Sequence, residues 1–200
     1  MDKRLHALAG LQGGVFSAFE AGAVGVDPVA LGYATRAGEL VRVRRGAYVD
    51  ARVWSGADDD ERYRLTVLAV ARTRPGDLVS HHAALALHRL PLWHHDPGRI
   101  DLLSRIGQAV RRGGLHVHPR QGVGSVRVDG LPVVSVARAI VRSALTMGLE
   151  CAVIAGDAAL HAGLTTESEL LADVAALSPH QGRGRAHDAV LLMDPKSESV

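Results

Sequence analysis

The stretch from Gly25 to Tyr48 reads GVDPVALGYATRAGELVRVRRGAY and decides how the N-terminal part of the chain folds. Asp27 is a suitable N-cap, because its carboxylate can accept hydrogen bonds from the free backbone amides of a first helical turn. Pro28 fits the first position of a helix, where no backbone donor is needed. Gly38 can adopt the left-handed conformation that closes a helix. The sequence therefore predicts a helix over residues 28–37.

The predicted helix has two different faces. Leu31, Ala34 and Thr35 follow the spacing of an apolar stripe that packs against a protein core. The opposite face carries one basic residue beside apolar, small and aromatic ones, namely Val29, Gly32, Tyr33 and Arg36. We predict that this second face reads base edges in the major groove of double-stranded DNA.

A basic β-hairpin follows this helix. Beyond Gly38 the apolar period changes to two, with anchors at Leu40, Val43 and Tyr48. Gly46 is suited to the turn of the hairpin. Three arginines crowd the tip, namely Arg42, Arg44 and Arg45. Guanidinium groups on a hairpin tip can contact the phosphates that flank a DNA groove, so the three arginines are predicted DNA contacts.

Two more helices are predicted upstream of this stretch. Apolar residues recur with helical spacing over residues 3–12, residues 15–16 are short and extended, and Ser17 can cap a second helix over residues 19–24. We include Ser17 among the candidate DNA contacts. The order helix, short strand, helix, turn, helix, hairpin is typical of a winged helix-turn-helix domain. The alternative is a three-helix structural domain whose arginines form a solvated face.

Charge is unevenly distributed along the 200-residue chain, although the formal net charge is only +2. Residues 1–120 hold 17 Lys and Arg against 12 Asp and Glu, whereas residues 121–200 hold 6 against 9. A basic N-terminal part suits nucleic acid, and an acidic C-terminal part suits a protein partner. The linker-like residues 55–60 lead us to predict a DNA-binding domain over residues 1–54 and a second domain over residues 60–200.

The second domain is predicted to contain both helices and strands. The predicted helices and extended segments alternate at first, with helices over 60–73 and 81–90 and strands near 99–104, 115–120 and 125–134. From residue 135 the pattern is helical, with helices over 136–147, 149–162, 167–177 and 185–193. The predicted fold class is therefore α+β, a winged helix-turn-helix followed by a mixed α/β domain with a small sheet and a helical C-terminal part.

The composition disfavours several functional classes. Cys151 is the only cysteine, which excludes an intramolecular disulfide and a cysteine zinc site and suits a reducing interior. No stretch approaches the roughly 20 apolar residues of a membrane span, so we expect a cytoplasmic protein with no membrane partner. The nucleophile elbow, phosphate-loop and dinucleotide patterns are all missing. We therefore expect no enzymatic activity and no cofactor.

Histidine is concentrated in one segment, since seven of the eleven histidines lie between His81 and His118. His116 and His118 would face the same way on a strand and could share a metal ion. The sequence offers neither cysteine partners nor the H-E-x-x-H spacing, so we interpret these histidines as surface or partly packed side chains and predict no metal site. Asp157, on an apolar helix, is interpreted as a satisfied structural acid.

Several segments together resemble one protein family. They are the winged-helix stretch, residues 79–91, VDGLPVVSVAR at residues 128–138, and GDAAL at residues 156–160 followed by Gly163-Leu164. Over almost its whole length the chain is similar to the AbiEi-type antitoxins of type IV toxin-antitoxin systems, in the actinobacterial branch. This resemblance implies an N-terminal winged helix that represses its own operon. It also implies a C-terminal domain that counteracts a nucleotidyltransferase toxin, without a stable complex between the two proteins.

The sequence differs from such relatives in two respects. Many relatives continue into a nuclease-like domain, whereas this sequence ends at residues 197–200, so we expect the acidic metal cluster of such nucleases to be absent, and Glu198 cannot hold a metal alone. The predicted DNA-reading helix has only Arg36 as a base, so the hairpin must supply much of the electrostatic attraction. Two alternatives stay open, a solitary winged-helix regulator without a toxin and a truncated relative of the nuclease-like family.

Overall fold

The computed structural model describes residues 2–120, 122–194 and 196, and it divides the chain into two compact units, Met1–Gly76 and Asp77–Val200. Both units combine helices with a small sheet, and the C-terminal part of the second unit is helical. The predicted α+β fold class is therefore confirmed.

The first unit has the element order predicted for a winged helix. Its elements are α1 (Lys3–Leu11), β1 (Val15–Ser17), α2 (Ala18–Ala23), α3 (Pro28–Arg36), β2 (Leu40–Arg44), β3 (Ala47–Asp50), α4 (Ala51–Ser55) and α5 (Asp59–Arg72). The three strands form an antiparallel sheet in the order β1-β3-β2. The hairpin of β2 and β3 is called the wing below, and α3 is called the recognition helix.

Side-chain caps define the ends of the helices in this unit. The Asp27 carboxylate accepts a hydrogen bond of 2.8 Å from the Ala30 amide, which begins the recognition helix as predicted. Gly38 follows that helix with a φ of +71°, a conformation that costs glycine little. Ser17 and Glu20 cap α2 reciprocally, because each side chain accepts from the backbone amide of the other.

The core of the first unit lies between helices α1 to α3 and one face of the sheet. Phe16 and Leu31 are fully buried there, and Phe16 stacks on Tyr48 with a ring-centroid distance of 5.9 Å. Arg4 donates a hydrogen bond of 2.8 Å to the carbonyl of Gly25. This bond holds α1 against the turn that separates α2 from the recognition helix.

Helix α5 covers the opposite face of the same sheet. Val15 and Val49 are paired across β1 and β3 and alternate with the core-facing Phe16 and Tyr48, yet both valines are fully buried because α5 packs on these strands. Arg72 of α5 also forms an ion pair of 3.2 Å with Glu20 of α2. The first unit therefore extends to Gly76, beyond the boundary predicted at residues 55–60. The linker-like composition there marks the acidic first turn of α5 instead.

This boundary weakens the charge asymmetry inferred from the sequence. Residues 1–76 hold 11 Lys and Arg against 9 Asp and Glu, for a net charge of +2. Residues 77–200 hold 12 of each and are neutral overall. The acidic residues after position 120 are thus balanced within their own unit by arginines that precede them.

The second unit is a mixed sheet with helices. Its strands are β4 (Leu78–Val79), β5 (Ile100–Ser104), β6 (Val110–Arg112), β7 (Leu115–Pro119), β8 (Val126–Val128) and β9 (Leu131–Val133). Its helices are α6 (His81–Leu87), α7 (Val136–Thr146), α8 (Leu149–His161), α9 (Glu167–Ala175) and α10 (Arg183–Leu191). The described strands lie in the order β6-β7-β5-β4-β9-β8. The pairs β5–β7 and β4–β9 are parallel.

One local prediction in the second unit is corrected. Residues 125–134 form a hairpin instead of one strand, since Asp129 and Gly130 have φ angles of +49° and +76°, as an Asp-Gly turn of type I′ requires. Ser80 precedes α6 but its side chain does not cap the helix, and its buried hydroxyl has no hydrogen-bond partner among the described residues.

Asp157 has the structural role predicted for it, because its buried carboxylate accepts a hydrogen bond of 2.7 Å from the Asp194 amide. The prediction for Glu198 falls on residues 197–200, which lie outside the described part of the chain. In the described part, no helix is both long enough and apolar enough to cross a membrane.

Candidate nucleic-acid interface

The recognition helix presents its predicted DNA-reading face to solvent. Val29 and Tyr33 are 63% and 65% exposed, whereas Leu31 and Ala34 on the opposite face are buried. The guanidinium of Arg36 lies over the ring of Tyr33, 4.7 Å from its centroid. This cation–π contact orients the arginine, and a planar guanidinium held in this way keeps its N–H edge available for hydrogen bonding.

Gly32 completes this face and is half-buried. A Cβ added at Gly32 would lie 3.6 Å from Nη1 of Arg36, which is an ordinary van der Waals contact. The glycine therefore does not relieve a clash within the protein, and its effect is to leave the helix backbone uncovered beside Arg36.

The wing carries arginines of two kinds. Arg42 and Arg45 are exposed, whereas Arg44 is half-buried and is engaged within the protein. Gly46 makes the turn with a φ of +76°, and the pairing of β2 with β3 shifts register between Arg42 and Arg44. Such an irregularity increases the local twist of a hairpin. Arg42 and Arg45 are therefore the stronger candidates for phosphate contact.

Ser17 does not belong to this interface, contrary to the sequence prediction. Its side chain is only 1% exposed. The hydroxyl donates to the Glu20 carboxylate at 2.8 Å and accepts from the Glu20 amide at 3.2 Å. Because capping occupies the hydroxyl inside the protein, Ser17 has no surface to offer to DNA.

A second group of charged side chains lies around Asp101 in the other unit. Asp101 is fully buried, and Arg99 donates to its two oxygens at 2.7 and 2.9 Å. Nε2 of His118 donates to the same carboxylate at 2.6 Å. Nδ1 of His82 lies 3.3 Å from Asp101, and the ring of His81 stacks on that of His118 at 4.6 Å.

Burial and hydrogen bonding set the protonation states of this group. Burial lowers the pKa of His81 to about 3 and the pKa of His82 to about 4, so both imidazoles are neutral at pH 7. Burial alone would raise the pKa of Asp101. The hydrogen bonds from His118 and Arg99 outweigh that effect and hold this pKa below its ordinary value. The carboxylate is therefore ionised and is neutralised by Arg99.

Among the described residues, one cluster of three side chains has donor atoms close enough together to bind a metal ion. It consists of His81, Asp101 and His118, whose ligand atoms lie within 4.8 Å of one another. This trio replaces the pair of His116 and His118 considered from the sequence. Both oxygens of Asp101 already accept from Arg99, and positive guanidinium groups disfavour a divalent cation. We assign no metal to the trio.

The sequence did not reveal this group because its members come from separate elements. His81 opens α6, Asp101 lies in β5 and His118 lies in β7. The richness in histidine was the only signal, and a count of histidines does not show which of them meet in space.

By element order, sheet topology and exposed basic residues, the first unit is a winged helix-turn-helix unit of the kind that binds DNA. Residues 3–49 match the family model described as "Transcriptional regulator, AbiEi antitoxin". The match runs from α1 into β3, so the family resemblance inferred from the sequence is confirmed for this segment. The match supports assignment of the chain to the class of antitoxin transcriptional regulators.

The other comparisons gave a distant match to a solved structure and no match among curated proteins. The chain is similar to the crystal structure of the RV2827C protein from Mycobacterium tuberculosis, with 15% sequence identity and a TM-score of 0.45. That alignment covers 96% of this chain and 81% of the other. A search of curated proteins gave no significant match.

Proposed function

We propose that this protein is a DNA-binding transcriptional repressor that acts on its own operator as the antitoxin of a type IV toxin-antitoxin system. The toxin it would counteract is a nucleotidyltransferase. The observation that carries the proposal is the exposed face of the recognition helix, followed by the arginine wing, within the segment that matches the antitoxin family model. The first unit, residues 1–76, would bind DNA, and residues 77–200 would oppose the toxin.

The two parts of the interface would make different contacts with DNA. The recognition helix would enter the major groove with Val29, Gly32, Tyr33 and Arg36 toward the bases, because this face is exposed and backed by a buried apolar face. Arg42 and Arg45 would contact phosphates outside that groove. Phosphate contacts set affinity and its salt dependence, and base contacts set sequence preference, so the two roles are separable by experiment.

The wing prediction concerns salt dependence. Replacing Arg45 with alanine should weaken binding to specific and non-specific DNA alike and lower the slope of log K against log salt by about 1, since one phosphate contact releases about one counterion. The measurement is a salt titration of DNA binding by fluorescence anisotropy.

The matched control for the wing is Arg52→Ala. Arg52 is an exposed arginine of the same unit on α4, outside the wing. The Arg52 variant should keep the wild-type slope. A wild-type slope in the Arg45 variant would show that Arg45 does not contact phosphate.

The recognition-helix prediction concerns sequence preference. Arginine can donate two hydrogen bonds to the major-groove edge of guanine, a contact that discriminates by about 1–3 kcal/mol. Arg36→Ala should therefore relax preference at one base pair of the site. Arg36→Lys should relax the same position while it retains non-specific affinity, because lysine keeps the charge and loses the planar fork. Selection of binding sites from a random DNA pool measures both variants, and identical selected sites for wild type and Arg36→Ala would contradict base reading by Arg36.

The antitoxin role is tested separately from repression. The toxin and the full-length protein are expressed from unrelated promoters that lack the operator, so repression cannot relieve toxicity. A double variant, Arg42→Ala with Arg45→Ala, whose loss of operator binding is first verified by fluorescence anisotropy, should then rescue growth as well as wild type does. Loss of rescue in this variant would mean that antitoxicity depends on DNA binding. Growth is the better measurement, because toxin and antitoxin of this type are not expected to form a stable complex.

The second candidate function is a solitary winged-helix regulator without a toxin. The observation in its favour is that the family match stops at residue 49 and covers only elements of the winged helix. A neighbouring nucleotidyltransferase gene whose toxicity the protein relieves supports the antitoxin. No relief by wild type would favour the solitary regulator.

A further inference from the structure

The second unit contains a polar pocket that neither DNA binding nor the family match accounts for. The pocket has a volume of about 250 Å³, and its wall includes His81, His118, Arg138 and Arg142 together with Gln181. We call it the histidine–arginine pocket. Its volume lies slightly below the ~300–1,000 Å³ of typical small-molecule sites, so it suits a compact polar ligand.

The two arginines that line this pocket share a single nearby acid, Asp173. Arg138 forms an ion pair of 3.1 Å with Asp173. Arg142, one helical turn further along α7, is half-buried, and its guanidinium makes no hydrogen bond or ion pair with any residue that the structure describes. Burial and the neighbouring Arg138 both lower the pKa of Arg142. The Asp173 carboxylate, already engaged by Arg138, partly offsets this effect but forms no direct ion pair with Arg142. Removing a guanidinium from water without a direct partner is costly, and an anionic ligand would supply one.

His81 is a second lining residue with an unpartnered polar atom. His81 is 5% exposed and lines the pocket, yet its Nδ1 atom has no hydrogen-bond partner among the described residues. Its backbone has a φ of +52°, which is uncommon for a residue other than glycine. Strained backbone of this kind persists where the surrounding structure holds a side chain in place, and it is more frequent at binding sites.

The ligand that fits this wall is an anion and not a cation. The acid nearest to the histidines is Asp101, and its charge is already neutralised by Arg99 behind His118. What faces the pocket is therefore two guanidinium groups and two imidazoles, with no carboxylate left over. Arginine presents paired N–H donors that match the oxygens of a phosphate, and imidazole adds a single donor.

We propose that the histidine–arginine pocket binds the phosphate group of a small molecule, either inorganic phosphate or the monoester phosphate of a mononucleotide. Arg142 supplies the main charge, His81 supplies a hydrogen bond from its imidazole, and Arg138 shares its charge between Asp173 and the ligand. Asp101 and Arg99 position His118 from behind and do not touch the ligand. The inference goes beyond the proposed DNA-binding function and is independent of it.

The test measures binding of inorganic phosphate and of adenosine monophosphate to the full chain by isothermal titration calorimetry. The imidazole C–H signals of His81 and His118 are followed by NMR in the same titration. Arg142→Gln should weaken phosphate binding by about tenfold or more, the scale of one lost charge-assisted contact. His81→Asn should also weaken it, and asparagine is chosen because it tolerates a positive φ. Circular dichroism and melting curves check that both variants are folded.

Two controls make the outcome decisive. Arg112→Gln removes an equal charge from an exposed position on the edge strand β6 and should leave binding unchanged. The wing variant with Arg42→Ala and Arg45→Ala should also bind phosphate like wild type, which separates this site from the DNA interface. Equal phosphate affinity in wild type and a folded Arg142→Gln, or histidine signals that respond to Zn²⁺ and not to phosphate, would overturn the proposal. Tighter binding of the nucleotide than of phosphate would assign the site to nucleotides, and equal affinity would assign it to the phosphate group alone.

Discussion

Replacement of Asp101 by alanine is expected to destabilise the second unit by about 3–5 kcal/mol, the range for breaking a buried ion pair by removal of one partner. Asp101 is fully buried and accepts two hydrogen bonds from Arg99 and one from His118. Without the carboxylate, the largely buried guanidinium of Arg99 would keep its charge and lose its partner. Since whole domains are stable by only about 5–15 kcal/mol, this one change would remove a large part of the total.

Urea denaturation of the full chain, followed by circular dichroism, measures this loss. Asp188→Ala is the matched control, because Asp188 is an exposed acid on α10 of the same unit, and surface changes usually stay within about 0.5 kcal/mol. A loss below about 1 kcal/mol for Asp101→Ala would show that the group around Asp101 does not hold the unit together.

Acidification from pH 7 to pH 5 is expected to destabilise the same unit by about 4 kcal/mol through His81 and His82. Burial lowers their pKa values to about 3 and about 4, whereas a histidine in the unfolded chain has a pKa of about 6.5. Between these values the unfolded chain binds more protons than the folded chain, so stability falls as the pH falls. This loss of stability is absent above about pH 6.5 and grows progressively as the pH falls toward 3.

The measurement is the free energy of unfolding at several pH values between 7 and 5. Near pH 5, His81 and His82 together should contribute an uptake of about two protons on unfolding to the slope. His82→Asn removes one of these groups and should reduce the uptake by about one proton, whatever its effect on stability at pH 7. A free energy of unfolding that is the same at pH 7 and pH 5 would contradict the buried neutral state of both histidines.

The winged helix was predictable because its signals are local. Asp27, Pro28 and Gly38 each act on backbone within a few residues of themselves, and the structure confirms the helix whose ends they mark. The extent of the unit was not predictable in this way. Linker-like composition at residues 55–60 is compatible both with a boundary and with an acidic helix start, and only the burial of Val15 and Val49 shows which applies.

Some candidate DNA contacts were likewise predictable from local sequence, and others depend on the tertiary structure. Exposure of Val29, Tyr33 and Arg36 follows from helical periodicity, so the face of the recognition helix was predictable. Ser17 was assigned to DNA because the sequence does not show whether a capping hydroxyl also reaches solvent. In the other unit, Asp101 and Arg142 are separated in sequence and belong to different elements, so no spacing rule connects them.

Helix α5 has a consequence for how the DNA-binding part of this chain could be inherited or transplanted. The segment that matches the family model ends at residue 49, whereas the helix that shields Val15 and Val49 from solvent begins at Asp59. A gene fusion that carried residues 1–49 alone would transfer the recognition helix and the wing with one face of their sheet uncovered, and uncovered apolar sheet surface promotes aggregation. The smallest module that keeps this sheet covered on both faces is residues 1–76, so α5 has to be transferred together with the recognition helix.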